Sequence, residues 1–197
     1  MKIIGITGGV GAGKSAILDY IEDNYNALIL KADEVAHQLM EPGTACYAAL
    51  QAILPAEAFQ KDGHLDRAVL AKLMFSSENL RIRMNGIVHP AVKVYIRECI
   101  AREQALGRLD YLVIEAALLI EERYDEICDQ LWYIYTSEEN RRQRLIESRG
   151  YSKEKITQIF ASQLPEAEYR RKCQAVIDNN GELADTFIEV RRAFEQE

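Results

Sequence analysis

Positive charge is in short supply in this sequence: 24 Lys and Arg stand against 31 Asp and Glu, a net charge of −7 over 197 residues. A general nucleic-acid binder must meet backbone phosphates with clustered lysine and arginine, so no nucleic-acid partner is expected and any basic site has to be local. Paired cysteines are missing as well. Cys46, Cys99, Cys128 and Cys173 are scattered without C-x-x-C spacing, which excludes a zinc ribbon or a disulfide framework and leaves reduced core thiols. The three histidines, His37, His64 and His89, have no metal-binding spacing. His37 shares a helix face with Asp33, but a packed or solvent-facing histidine is the plainer reading, and His89-Pro90 reads as a break between helices. No apolar run approaches the ~18 residues of a membrane span, and "MKIIGI" gives way to glycines and Lys14 before a signal segment could form. Repeats, low-complexity stretches and long linkers are also lacking. The expectation is a cytoplasmic protein without a membrane partner, a monomer, folded as one domain over 1–197.

What the chain does have is alternation. Short apolar runs at Lys2–Thr7, Ala27–Leu30, Tyr111–Ile114, Leu131–Tyr135 and Ala175–Ile177 are of strand length. Between them run helical periodicities, among them Ile17, Ile21 and Tyr25, and near the end Leu183, Phe187, Val190 and Phe194. Continuous apolarity implies strands covered on both faces, so the predicted fold class is α/β, a parallel five-stranded sheet flanked by helices. The link from Asp33 to Tyr111 is too long for a simple crossover. It carries helical patterns at Glu34–Met40, Cys46–Ile53, Asp66–Phe75, Asn79–Ile87 and Ala91–Gln104, and it is read as a helical insert, 34–110, that holds a substrate.

The most informative stretch is Gly8–Ser15, G-G-V-G-A-G-K-S, which fits G-x-x-x-x-G-K-[ST] between a strand and a helix. Glycines allow the tight turn and the close backbone approach that aim successive N–H groups, and the helix N-terminus, at phosphate oxygens. Lys14 then reaches the β- and γ-phosphates of ATP, and the Ser15 hydroxyl ligates Mg²⁺. Later carboxylates give this cradle a chemistry. Asp33, just past the second strand, suits a base that accepts a hydroxyl proton from the phosphate acceptor, or else an N-cap for the helix it precedes. Glu115, at the end of "YLVI", suits a Mg²⁺ site reached through water, or else the start of a helix.

The local basic site is a run of arginines. Thr136 and Glu139 predict a capping box, and the helix they open carries Arg141, Arg142, Arg144 and Arg149, followed by Lys153 and Lys155. Arginine pairs with phosphate in a fixed fork, so this segment reads as a helical lid, 138–165, able to close over a triphosphate, or as a solvated helix face.

Together, "GITGGVGAGKS", "ADEVAHQLMEPG", "DGHLDRAVLAKLMF", "IVHPAV", "EAALLIE" and "QAVIDNNG" resemble the dephospho-coenzyme A kinases over nearly the whole chain. The resemblance implies a phosphate-binding-loop kinase fold. It also implies transfer of the ATP γ-phosphate to the ribose 3′-hydroxyl of dephospho-CoA, with ATP and Mg²⁺ required. On it, Asp33, Lys14 and Arg144 are catalytic. Gly9, Gly11, Ala12, Gly13, Lys14, Ser15, Ala16, Arg144, Arg149 and Asn179 bind nucleotide. The chain departs from the family where Lys31 and Gln174 stand in place of aspartates and Ala16 in place of a threonine, and its lid arginines are spaced slightly wider. Two rivals stay open: another small-molecule kinase with a different insert, and a nucleotide-dependent switch suggested by Asp178-x-x-Gly181.

Overall fold

A computed structural model of the chain describes residues 1–195. Five strands, β1 (Lys2–Thr7), β2 (Ala27–Lys31), β3 (Tyr111–Glu115), β4 (Gln130–Tyr135) and β5 (Ala175–Asp178), form a parallel sheet in the order β2-β3-β1-β4-β5. The register sets Ile6 beside both Glu115 and Trp132, and Tyr135 beside Asp178. β1 is therefore central, and the chain that leaves its carboxyl end starts where ligands of open α/β sheets bind. The chain divides into two compact units, one comprising Met1–Ile29 with the chain from Gly107 onward, the other Leu30–Leu106.

In the first unit, apolar strand residues are covered by α1 (Lys14–Asn24) and α9 (Leu183–Glu195). Ile4, Ile6, Val113, Trp132, Ile134 and Ile177 pack in one cluster with Ile17 and Ile21 of α1 and with Val190 and Phe194 of α9. The periodic residues at either end of those helices behave differently. Tyr25 lies just past α1 and stacks on Phe194 with centroids 3.9 Å apart, and Leu183, at the start of α9, is 46% exposed. The same unit holds α6 (Glu138–Arg149), α7 (Lys153–Ala161) and α8 (Glu166–Lys172). All four cysteines are unpaired, and burial pushes the Cys128 and Cys173 thiols up to about 12, which keeps them protonated and inert.

The second unit is helical: α2 (Ala32–Leu39), α3 (Ala45–Gln51), α4 (Arg67–Ser76) and α5 (Glu78–Leu106). The first three pack on α5, whose buried Met84, Val88, Val92, Ile96, Cys99 and Ile100 supply one continuous face. Asp66 caps α4, accepting from the N–H groups of Ala68 and Val69 at 3.0 Å each. The break expected at His89-Pro90 does not occur, because α5 runs through Pro90. Proline there removes one backbone bond, to the carbonyl of Gly86, while buried contacts on both sides hold the axis together. Tertiary packing outweighs a local penalty of about 3 kcal/mol.

Candidate active site

The phosphate loop joins β1 to α1 and is shaped by what cannot fit beside it. Gly13 has φ +85°, and a Cβ there would lie 2.4 Å from Asn179 Nδ2, so that both the backbone conformation and the space require glycine. Gly9 is closed off in another way, since a Cβ on it would meet the Arg141 guanidinium at 2.4 Å. Helix α1 starts with no side-chain cap and no acidic residue in its first turn, whereas Thr44, Asp66, Ser137 and Ser152 cap α3, α4, α6 and α7. Its leading N–H groups and positive dipole end are thereby left for an anion from outside the chain. Ser15 is exposed in that first turn, and Ala16 beside it is half-buried.

Lys14 folds back over the loop, its Nζ donating to the Gly8 carbonyl at 2.8 Å and lying 3.4 Å from Glu115 Oε1. Glu115 is the last residue of β3 and starts no helix, because the chain turns repeatedly from Ala117. The helix-start reading of Glu115 is thus corrected, and its carboxylate stands beside the loop lysine.

Three donors converge on the buried Ala12 at the turn of the loop. Its carbonyl accepts from Thr136 Oγ1 at 3.0 Å, Asn179 Nδ2 at 2.7 Å and Arg144 Nη1 at 3.4 Å. Asn179 is itself a buried hub. Its carbonyl accepts from Arg144 Nη2 at 2.8 Å, its Oδ1 from Thr186 Oγ1 at 3.0 Å, and its N–H donates to Tyr135. The predicted capping box is displaced by one residue: Ser137, accepting from Asn140 N–H, caps α6, and Thr136 is spent on the loop. Asp178 accepts from the N–H and side-chain amide of Asn180, both at 2.8 Å, so Asp178-x-x-Gly181 is a self-bonded turn.

The arginines of α6 separate by geometry. Arg144 faces the loop. Arg149, five residues on and so about 140° around the helix, is exposed and set against the Tyr151 ring at 6.0 Å, with no hydrogen bond to the loop among the described residues. Arg141, three residues before Arg144, shares its face. Its Nε donates to the Val10 carbonyl at 3.1 Å and its Nη2 to Gln163 Oε1 at 2.7 Å. Burial lowers its pKa, though an arginine stays charged in any physiological range, and burial pushes nearby Tyr133 up to about 12. The sequence places Arg141 in the arginine run of the lid but singles out only Arg144 and Arg149 as nucleotide-binding, although its spacing of three from Arg144 is the signal that sets it on the same face.

Asp33 belongs to the second unit, where it is exposed in the first turn of α2. The N-cap of that helix is Lys31, with its Nζ 3.4 Å from Glu34 Oε1, so capping is not what Asp33 does. The same unit contains a cavity of about 290 Å³ whose walls include Met40, Met74 and Met84 together with His37, Glu41 and Arg67. Among the described residues, no cluster of three or more His, Cys, Asp or Glu could hold a metal ion by itself, and no helix is long and apolar enough to cross a membrane.

The sequence matches the profile of the dephospho-CoA kinase family over residues 2–185. It is 33% identical to the dephospho-CoA kinase of Shouchella clausii, an alignment covering 95% of this chain and 94% of that one. Among solved structures, a protein of Thermus thermophilus superposes with a TM-score of 0.80 at 28% identity, covering 99% of this chain and 97% of the other. A dephospho-CoA kinase from Campylobacter jejuni shares the fold at a TM-score of 0.72 and 18% identity, over 100% and 97% of the two chains.

Proposed function

The chain belongs to the dephospho-CoA kinase family, ATP-dependent enzymes of the last step of coenzyme A synthesis, and from that premise we propose how its residues divide the work. Phosphoryl transfer asks a protein mainly for positioning and for charge placed where negative charge spreads. The backbone of Gly9, Gly11, Ala12 and Gly13, with the first turn of α1 at Lys14, Ser15 and Ala16, cradles the nucleotide phosphates, and Lys14 neutralises the β- and γ-oxygens. Arg144 and Asn179 fix the loop from behind. The 3′-oxygen of dephospho-CoA bonds to the γ-phosphorus as the bond to the β–γ bridging oxygen breaks. ADP carries away that electron pair, and the hydroxyl proton passes to the Asp33 carboxylate.

Mg²⁺ suits the donors present: the Ser15 hydroxyl and the Glu115 carboxylate are hard oxygens, and this ion ordinarily completes its shell with phosphate oxygens and water rather than an all-protein cage. When bound, it screens the phosphate charge. The insert, 34–110, takes the dephospho-CoA side, and its methionine-walled cavity with a polar rim suits a long, amide-bearing chain. Segment 138–165 acts as the lid. The enzyme works as a monomer in the cytoplasm, in keeping with its acidic net charge and unpaired thiols.

The observation that carries this reading is the uncapped, acid-free N-terminus of α1 with Lys14 folded over the loop. The test is incubation with Mg-ATP and dephospho-CoA, with the product identified by mass as coenzyme A. In the same assay Asp33→Asn keeps the side-chain shape and removes its basicity. Its kcat is expected to fall by about 10²–10⁴ with ATP affinity nearly unmoved, and a rate within a few-fold of wild type would take Asp33 off the catalytic list.

A further inference from the structure

Arg141 is a half-buried cation with no carboxylate of its own. It forms no ion pair among the described residues, and its hydrogen bonds go to two neutral oxygens, Val10 O and Gln163 Oε1. Its guanidinium carbon lies 4.2 Å from the centre of the Phe160 ring, which holds the plane in place but supplies no countercharge. The acids that share its hollow are already engaged, Glu138 with Arg142 at 2.8 Å and Glu166 with Arg170 at 2.6 Å. Keeping a cation partly out of water without a counterion is costly, and an anion bound against it would offset that cost.

The side of the guanidinium left over shows where that anion arrives. Nε and Nη2 are spent, whereas Nη1 donates to no protein atom among the described residues and is the atom nearest the space a Gly9 Cβ would fill. Lys14 Nζ sits one residue away on the loop, at the Gly8 carbonyl. The helix N-terminus serves the inner phosphates and the loop lysine reaches the outer ones, so the Gly8–Gly9 corner marks the outer end of the phosphate chain. Two cations meet at that corner.

We infer that Arg141 binds the terminal phosphate of the nucleotide through Nη1 and so makes the site discriminate ATP from ADP. The inference rests on the loop being the ATP site. Gln163, just beyond α7, holds the other arm of the fork and thereby ties the segment after α7 to the nucleotide's phosphate count.

The test is calorimetric titration of the full chain with Mg-ATP and with Mg-ADP, without acceptor, for wild type, Arg141→Gln and Arg141→Lys. Arg141→Gln should weaken ATP by about 10- to 100-fold, the worth of one charge-assisted hydrogen bond, with ADP within about threefold and melting temperature within a few degrees. Arg141→Lys keeps the charge without the fork and should recover part of the ATP preference. Equal loss for both nucleotides, or no loss for either, overturns the inference, and so does an unaltered ATP preference in Arg141→Lys should the glutamine variant not fold. Wild type that binds neither nucleotide would instead overturn the loop assignment beneath it.

Discussion

Thr136, Asn179 and Thr186 are buried and hydrogen-bonded to one another or to the loop in the unit that carries the phosphate loop, while the helical unit buries Glu103 among otherwise apolar side chains. One interior is cross-tied by directional bonds and the other is filled by volume. A hydrogen bond fixes an angle as well as a distance, and a phosphate cradle needs its N–H groups aimed, so polar burial belongs where a small ligand is gripped. Methionines and aliphatic residues tolerate adjustment, which suits the substrate-holding role proposed for this unit.

Substitutions in each interior can sharpen or break this contrast. The largest effect is expected in the helical unit, where Ile96 is fully buried on α5. Ile96→Ala should cost about 2–5 kcal/mol by chemical denaturation, through lost transfer energy and a cavity, with ATP affinity hardly changed; a matching loss of ATP affinity would dissolve the contrast. Asn179→Ala should cost less stability, about 1–3 kcal/mol, yet weaken ATP binding severalfold, because Ala12 O loses its shortest tie. If ATP binding were untouched, the hub would be mere scaffolding. The smallest effect is a gain. Pro90 is exposed on α5, so Pro90→Ala should restore a backbone bond and raise stability by about 1–2 kcal/mol net of the looser unfolded chain. A loss would mean that the helix depends on the proline ring.

The sequence was most readable where structure is contiguous. G-G-V-G-A-G-K-S specifies its own turn, and the strand, the left-handed Gly13 and the helix starting at Lys14 follow one another as the pattern expects. Five strands were found to within a residue at either end because each is a short apolar run between breakers. What escaped depends on partners far along the chain. Thr136 looks like a helix cap until Ala12 and Asn179 arrive beside it, and Arg141 looks like one more surface arginine until the loop passes beneath it. Pro90 misled for the same reason, since local punctuation cannot register the packing that carries α5 through it. Arg149 followed the family pattern in sequence, but the wider spacing turns it off the face that Arg144 occupies.

The carbonyl of Ala12 draws its donors from positions 124, 132 and 167 residues downstream. Closing loops that long is entropically slow, and contacts of such sequence separation form late in folding. During synthesis, a chain that has emerged as far as α5 has the complete loop motif but none of these ties. Its glycines are then free to wander, and the motif has no phosphate grip. The ties of the cradle are complete only once residue 179 lies beside Gly13, so its final shape depends on the carboxyl-terminal strand having reached its place.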